Sequence, residues 1–281
     1  MPMRFTEEYP EVGAAFSMNI TKILYSGKSQ FQKIDVIETT HFGRVLLIDD
    51  LVMLTERDEF VYHEMIAHVP LYVHPEPKSV LIIGGGDGGT VRELLKHPEV
   101  EQVDLVDIDR MVSEVSLKYI PSVAGKLLSE KVNCQYEDGV AYVKNTDKKY
   151  DVIIVDSTDP VSVGEGLFTQ EFYQNCYNIL KSDGILVNQA ESPAYESDIV
   201  VSIARKLHSI FSQVYFYQAH IPSYPSGHWL FGFASKSYHP LKDFCEEKYR
   251  RHNLKLKYYN SDLHYAAFAL PNFVRELVEQ T

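Results

Sequence analysis

The chain has 281 residues, 45% of them hydrophobic and 23% charged, with 39 acidic against 27 basic side chains and a net charge of −12. That balance describes a globular chain with room for one large domain and a small one, and it argues against a nucleic-acid partner, which needs basic surface. Cys134, Cys176 and Cys245 are scattered and lack metal spacing, the N-terminus has no apolar leader core, and no run reaches membrane-spanning length, so a reduced, cytoplasmic location is expected.

Read in chain order, the first part is short and β-branched. Asn19 to Leu24, Lys33 to Glu38 and Arg44 to Ile48 predict strands, broken at Ser26-Gly27, His41-Phe42-Gly43 and Asp49-Asp50. This predicts a small antiparallel sheet. Asp58 to Val69 then carries apolar residues at helical spacing and is expected to stop at Pro70. We therefore expect an N-terminal β-strand domain over 1–70 and a catalytic domain over 71–281.

From residue 79 the pattern becomes strand, turn, helix. Ser79 to Ile83, Gln102 to Val106, Val132 to Tyr136, Asp151 to Val155 and Ile185 to Asn188 are continuous apolar runs. Helical segments at Thr90–Lys96, Met111–Tyr119 and Thr169–Leu180 lie between most of them. Continuous rather than alternating apolar strands indicate a parallel sheet buried on both faces. Val214 to Tyr217 and Trp229 to Ala234 follow without an intervening helix, which predicts an antiparallel edge. The expected fold class is α/β: a Rossmann-like, seven-stranded, mostly parallel sheet of the methyltransferase type, preceded by the small sheet.

The first of these strands runs into Gly84-Gly-Gly-Asp-Gly-Gly89. Gly84, Gly86 and Gly89 fit the dinucleotide spacing, where a helix N-terminus usually receives pyrophosphate. An ionised Asp87 in that loop repels phosphate and welcomes a cation. The chemistry points to a nucleoside with positive charge and no phosphate, a sulfonium of the S-adenosylmethionine type. Acids recur at the strand ends, where such sheets bind ligands: Asp107 and Asp109, Asp138, and Asp156 and Asp159. Any one of these can be a helix cap, but five or six on one rim call for a cationic partner. Asp107, 18 residues beyond Gly89, suits a ribose acceptor, and Asp138 suits an adenine amino group. Asp156 and Asp159 can hold or deprotonate one ammonium group.

The stretches Thr55-Glu-Arg-Asp-Glu-Phe-Val-Tyr-His-Glu-Met65, Gly84 to Gly89, Asp104-Leu-Val-Asp-Ile-Asp109, Asp156-Ser-Thr-Asp-Pro160 and Pro222-Ser-Tyr-Pro-Ser-Gly-His-Trp229, in this order, resemble the spermidine synthase family of polyamine aminopropyltransferases over nearly the whole chain. The resemblance implies transfer of the aminopropyl group of decarboxylated S-adenosylmethionine to putrescine, giving spermidine and methylthioadenosine. By motif, Gln32, Asp87, Asp107, Ile108, Asp138, Gly139 and Val163 hold the donor. Tyr62, His63, Asp87, Asp156, Ser157, Thr158, Asp159, Gln189 and Tyr224 line the amine site, and Asp156 is the proton acceptor. The resemblance also implies a homodimer or homotetramer.

No cofactor or metal is expected for this reaction, since the sulfonium is its own leaving group, and His41, His68 and His74 show no metal spacing. Three features depart from the family pattern. Arg4 stands where a tryptophan is common, Ser162-Val163 replaces Gly-Pro, and Asp107 replaces glutamate. Ser157 to Gln170 is expected to cover the site as a lid. Trp229 reads as a core residue of its strand. Methyl transfer, nicotinamide chemistry and non-catalytic polyamine binding are the rival readings.

Overall fold

Two sheets divide the chain. The computed structural model describes residues 3–158 and 162–279. The first sheet is a meander of five antiparallel strands in sequence order: β1 (Met3–Tyr9), β2 (Ala14–Lys28), β3 (Lys33–Thr39), β4 (Arg44–Ile48) and β5 (Leu51–Thr55). Sequence patterning located β3 and β4 but not β1 or β5, and it broke β2 too early. Ser26 and Gly27 lie inside β2, paired with Asp35 and Ile34, and the strand absorbs two register shifts instead of turning. Asp49 and Asp50 do make a turn. Both have positive φ, 49° and 65°, and they join β4 to β5 as a two-residue hairpin.

Helix α1 (Glu59–Val73) is buried along almost its whole length. It does not stop at Pro70. The helix runs one turn further to Val73, and His74 N–H closes it on the Pro70 carbonyl at 2.9 Å. An internal proline costs a helix about 3 kcal/mol. Burial of Val69, Leu71, Tyr72 and Val73 offsets that, because each is at most 2% exposed.

The second sheet has the order β11-β12-β10-β9-β6-β7-β8. Its strands are β6 (Ser79–Gly84), β7 (Gln102–Asp107), β8 (Val132–Tyr136), β9 (Tyr150–Asp156), β10 (Leu180–Gln189), β11 (Gln213–His220) and β12 (His228–Ser235). Strands β6 to β10 pair parallel, and β12 pairs antiparallel with both β10 and β11. Helix α1 covers one face, and helices Gln170–Ile179 and Ser197–Ile210 cover the other, so central strands such as β6 and β9 are apolar on both sides. Helices α2 (Gly89–Leu94) and α3 (Arg110–Tyr119) follow β6 and β7. The chain leaves β6 toward β7 and later lays β9 on the opposite side. That reversal opens a crevice at the carboxyl ends of β6 and β9, where open α/β sheets bind ligands. The small sheet closes one side of it, with Ile34, Val36 and Leu46 packed against Val112 and Val115 of α3. No helix among the described residues is long and apolar enough to cross a membrane.

Candidate active site

The crevice is a cleft of about 1200 Å³, its open mouth included. Its floor is the loop from β6 to α2. Gly84 has φ +82°, and a side chain there would overlap the Asp156 carbonyl oxygen, which accepts a hydrogen bond from Gly85 N–H at 2.7 Å. Only glycine lets β6 and β9 end this close together. A Cβ on Gly89 would collide with the His63 ring, so the first turn of α2 sits directly against α1.

These contacts concentrate acid chemistry in one place. Asp156, the last residue of β9, accepts from Tyr62 Oη at 2.7 Å through Oδ1 and from Thr90 Oγ1 at 2.6 Å through Oδ2. Burial and the neighbouring Asp87 raise its pKa, against the opposing influence of His63 and the two hydroxyls. Asp87 accepts from Gly89 N–H at 2.8 Å and lies 3.4 Å from His63 Nε2. The other His63 nitrogen, Nδ1, is 2.6 Å from Glu59 Oε2, and Arg92 clamps that carboxylate with bonds of 2.7 and 2.9 Å. Burial pushes His63 toward neutrality, but its two carboxylates outweigh burial and lift its pKa to about 10. Burial likewise disfavours the charge on Asp87, and His63 outweighs it, so the carboxyl is held below its ordinary pKa. The cleft thus holds an alternating row of Arg92, Glu59, His63 and Asp87, with Asp156 beyond.

Toward the small sheet, Asp107 accepts from Gly86 N–H at 3.0 Å and from Asp109 N–H at 2.8 Å. Burial outweighs those donors and raises its pKa to about 6. Asp109 faces away from the cleft: it caps α3 through Met111 N–H and accepts from Ser29 Oγ and Gln32 Nε2 at 2.6 and 3.1 Å. Asp138 caps the helix Gly139–Asn145 through Val140 N–H at 2.8 Å. Capping therefore accounts for more of the acidic rim than its density alone suggested, and Asp109 is a cap and a scaffold rather than a rim group.

Gln32, Tyr62, His63, Asp87, Asp107, Ile108, Asp138, Gly139, Asp156, Ser157, Thr158, Gln189 and Tyr224 all line this one cleft. Asp159 and the Val163 side chain lie outside the described residues. The remainder of the expected lid forms a 3₁₀ turn, Ser162–Phe168, with Gly164 and Leu167 on the cleft wall. Arg4 is exposed on β1, opposite Asn19, and is not part of the cleft. Trp229 is buried, as expected, yet it too lines the cleft, with Tyr224 edge-on at 4.8 Å.

Sequence reasoning missed several residues that shape the site. Glu59 stands four residues before the expected His63 on the same helix, a spacing that was readable as a pair. Thr90 and Arg92 carried no separate signal beyond following the glycine loop. Glu7 on β1 reaches the cleft wall while accepting from Val52 N–H at 3.1 Å, which only the sheet pairing reveals. Asp58 accepts from Ser223 N–H and Oγ, both at 2.9 Å, and so ties the Tyr224 loop to the start of α1.

Comparison with known proteins bears directly on this cleft. Residues 59–244 match the spermine/spermidine synthase domain, and residues 3–56 match the spermidine synthase tetramerisation domain. A polyamine aminopropyltransferase of Alkaliphilus metalliredigens (strain QYMF) is 52% identical over 99% of each chain. One of Clostridioides difficile (strain 630) is 51% identical over the full length of both. A crystal structure of spermidine synthase in complex with the transition-state analogue AdoDATO superimposes with a TM-score of 0.97 at 42% identity, covering 100% of this chain and 97% of the other. The spermidine synthase of Thermotoga maritima gives 0.95 at the same identity and coverage.

Proposed function

The chain belongs to the spermine/spermidine synthase family and is a polyamine aminopropyltransferase, and from that premise we propose how its cleft divides the work. The donor is decarboxylated S-adenosylmethionine, the acceptor is putrescine, and the products are spermidine and methylthioadenosine. Asp107, Gln32, Ile108, Asp138 and Gly139 hold the nucleoside on the side toward the small sheet. Asp87 receives the ammonium of the aminopropyl arm. Asp156, with Tyr62, His63, Ser157, Thr158, Gln189 and Tyr224, takes the attacking end of the diamine, and Asp159 and Val163 are assigned by motif alone.

An alkylammonium has a pKa near 10.4, so the acceptor arrives protonated and without a free lone pair. It must lose a proton before it attacks. The observation that carries our assignment is the environment of Asp156. It is a carboxylate with a raised pKa at the end of β9, each oxygen already oriented by one hydroxyl and each retaining capacity to accept another hydrogen. Asp156 takes the proton, and the freed amine lone pair attacks the methylene carbon bound to sulfur. The C–S bond breaks with both electrons moving to sulfur, which leaves a neutral thioether. An aspartate is a weak base for an amine, so positioning contributes more than basicity and supplies roughly 7–11 kcal/mol at its favourable extreme.

The charge row explains selectivity for the decarboxylated donor. Intact S-adenosylmethionine carries a carboxylate beside the same amine, and it would face Asp87 and Asp156 in a desolvated site, where like charges repel strongly. His63, held protonated, keeps Asp87 ionised before the substrate arrives. We further propose a cytoplasmic homo-oligomer assembled through the five-stranded sheet, the part matched by the tetramerisation domain. The deciding measurement is methylthioadenosine release with decarboxylated S-adenosylmethionine and putrescine, cadaverine, agmatine or spermidine, with the intact sulfonium as control. Release led by putrescine is the expected result. Release led by another amine overturns the acceptor, and release from the intact donor overturns the role of Asp87.

A further inference from the structure

The C-terminal half of α1 faces a second cluster of titratable groups, remote from the transfer chemistry. His68 Nε2 lies 3.0 Å from Glu93 Oε2, and His68 Nδ1 lies 2.8 Å from His97 Nε2. Lys96 also pairs with the Glu93 carboxylate. His97 Nε2 is thereby engaged by His68, and His97 Nδ1 is buried and without a hydrogen-bond partner.

The opposite wall repeats the pattern. His252, at the end of helix Glu246–His252, donates from Nε2 to Glu99 Oε1 at 2.9 Å. Its Nδ1 is buried without a partner, and so is Glu99 Oε2. The His97 side chain is fully buried and that of His252 is 2% exposed. Buried polar atoms left without a partner are costly. One nitrogen of each histidine and one Glu99 oxygen lie within 4.8 Å of one another. A tetrahedral zinc site needs about 3.3–3.5 Å between ligands, so small side-chain rotations close the gap.

We propose that His97, Glu99 and His252 bind a zinc-type transition-metal dication, which ties the helix Glu246–His252 to the turn that follows α2. His97 is oriented through Nε2 by the His68–Glu93 pair, which is how ligating histidines are held, and His252 Nε2 already lies 2.9 Å from Glu99 Oε1. Two imidazoles and one carboxylate suit zinc, cobalt or nickel rather than magnesium or calcium. Arg251 also sits 3.1 Å from Glu99 Oε1. Tyr72 Oη is also buried without a partner, and its ring centroid lies 4.8 Å from that of His97 and 5.6 Å from that of His252.

The test uses the full chain after chelator treatment, titrated with Co²⁺ and followed by visible absorption. We expect one equivalent with the intense bands of a tetrahedral site, displaced by Zn²⁺ and untouched by Mg²⁺. His252→Asn should abolish the bands while aminopropyl transfer stays within twofold of wild type, which also reports that the variant folds. Glu99→Gln, a milder change at a more exposed position, should weaken Co²⁺ binding by roughly 10- to 100-fold. Absence of the bands in wild type, or bands of equal strength in either variant, overturns the site.

Discussion

The two halves of α1 present the same residue type in opposite states. His63, near the N-terminal end, has a carboxylate on each ring nitrogen, and its pKa rises to about 10. His68, five positions along and equally buried, has a carboxylate on one nitrogen and an imidazole on the other, and burial keeps it neutral. Burial alone favours the neutral form in both. The count of ionised partners decides the outcome. The half that faces the cleft stores positive charge beside the acids, and the other half presents lone pairs.

The largest effect should come from Asp156, the acid that stands beyond the His63–Asp87 pair and whose pKa is raised. Asp156→Asn should lower kcat by roughly 10²- to 10⁴-fold, with methylthioadenosine affinity changed only a few-fold. Single-turnover kinetics that show a loss below tenfold would remove Asp156 as proton acceptor. Next in size, Asp87→Asn should cost roughly 10- to 100-fold in kcat/KM for the decarboxylated donor and narrow its preference over the intact one. Equal selectivity before and after the change would take Asp87 out of the discrimination.

Glu59→Gln attacks the comparison itself, since it leaves His63 with one carboxylate, as His68 has. The His63 pKa should fall from about 10 toward 6.5, read by NMR titration. A loss of kcat/KM above pH 7 should accompany it as the ring deprotonates. The linked stability has a definite sign. Against burial, His63 and Arg92 lower Glu59 from 4.5 to about 2, so its contribution is present above pH 4.5 and lost as pH falls toward 2. The pKa of His63 is raised from 6.5 to about 10, so its contribution is full below 6.5 and lost as pH rises through 10. Both operate together between about pH 4.5 and 6.5, and Tm against pH should lose both limbs in the variant. A parallel pair of Tm curves would show that the row contributes nothing.

The smallest predicted effect is at Asp107. Its pKa of about 6 means that methylthioadenosine should bind a few-fold more tightly as pH rises from 5 to 7. Asp107→Asn should bind weakly and without that slope, which calorimetry at the two pH values distinguishes.

Much of the second sheet was legible because buried parallel strands must be apolar throughout, as β6, β9 and the end of β10 are, whereas the edge strand β8, Val-Asn-Cys-Gln-Tyr, is half-exposed and mixed. The five-stranded sheet was less so. Strand β1 alternates Met3, Phe5 and Tyr9 with Arg4, Thr6 and Glu8, but Glu7 interrupts its apolar face, and β2 tolerates Ser26-Gly27 because its partner strand, not its own sequence, holds it extended. Pro70 was misleading for a related reason: packing around α1 outweighed a local breaker.

The glycines, the acid in their midst and the acids at the strand ends follow from local chemistry, since backbone approach and strand-end position are encoded within a few residues. From these alone the sequence determined a cationic nucleoside ligand in an open α/β sheet, and its ordered motifs determined the family. The tertiary structure decided the charges. Whether His63 is protonated depends on Glu59, Arg92 and Asp87, and whether Asp156 is a useful base depends on Tyr62 and Thr90, 94 and 66 positions away. It also decided that His252 meets Glu99 across 153 positions, a meeting that no spacing rule finds. Protonation and lone-pair direction are set by whatever lies within about 4 Å in space, and that neighbourhood exists only once the chain has folded.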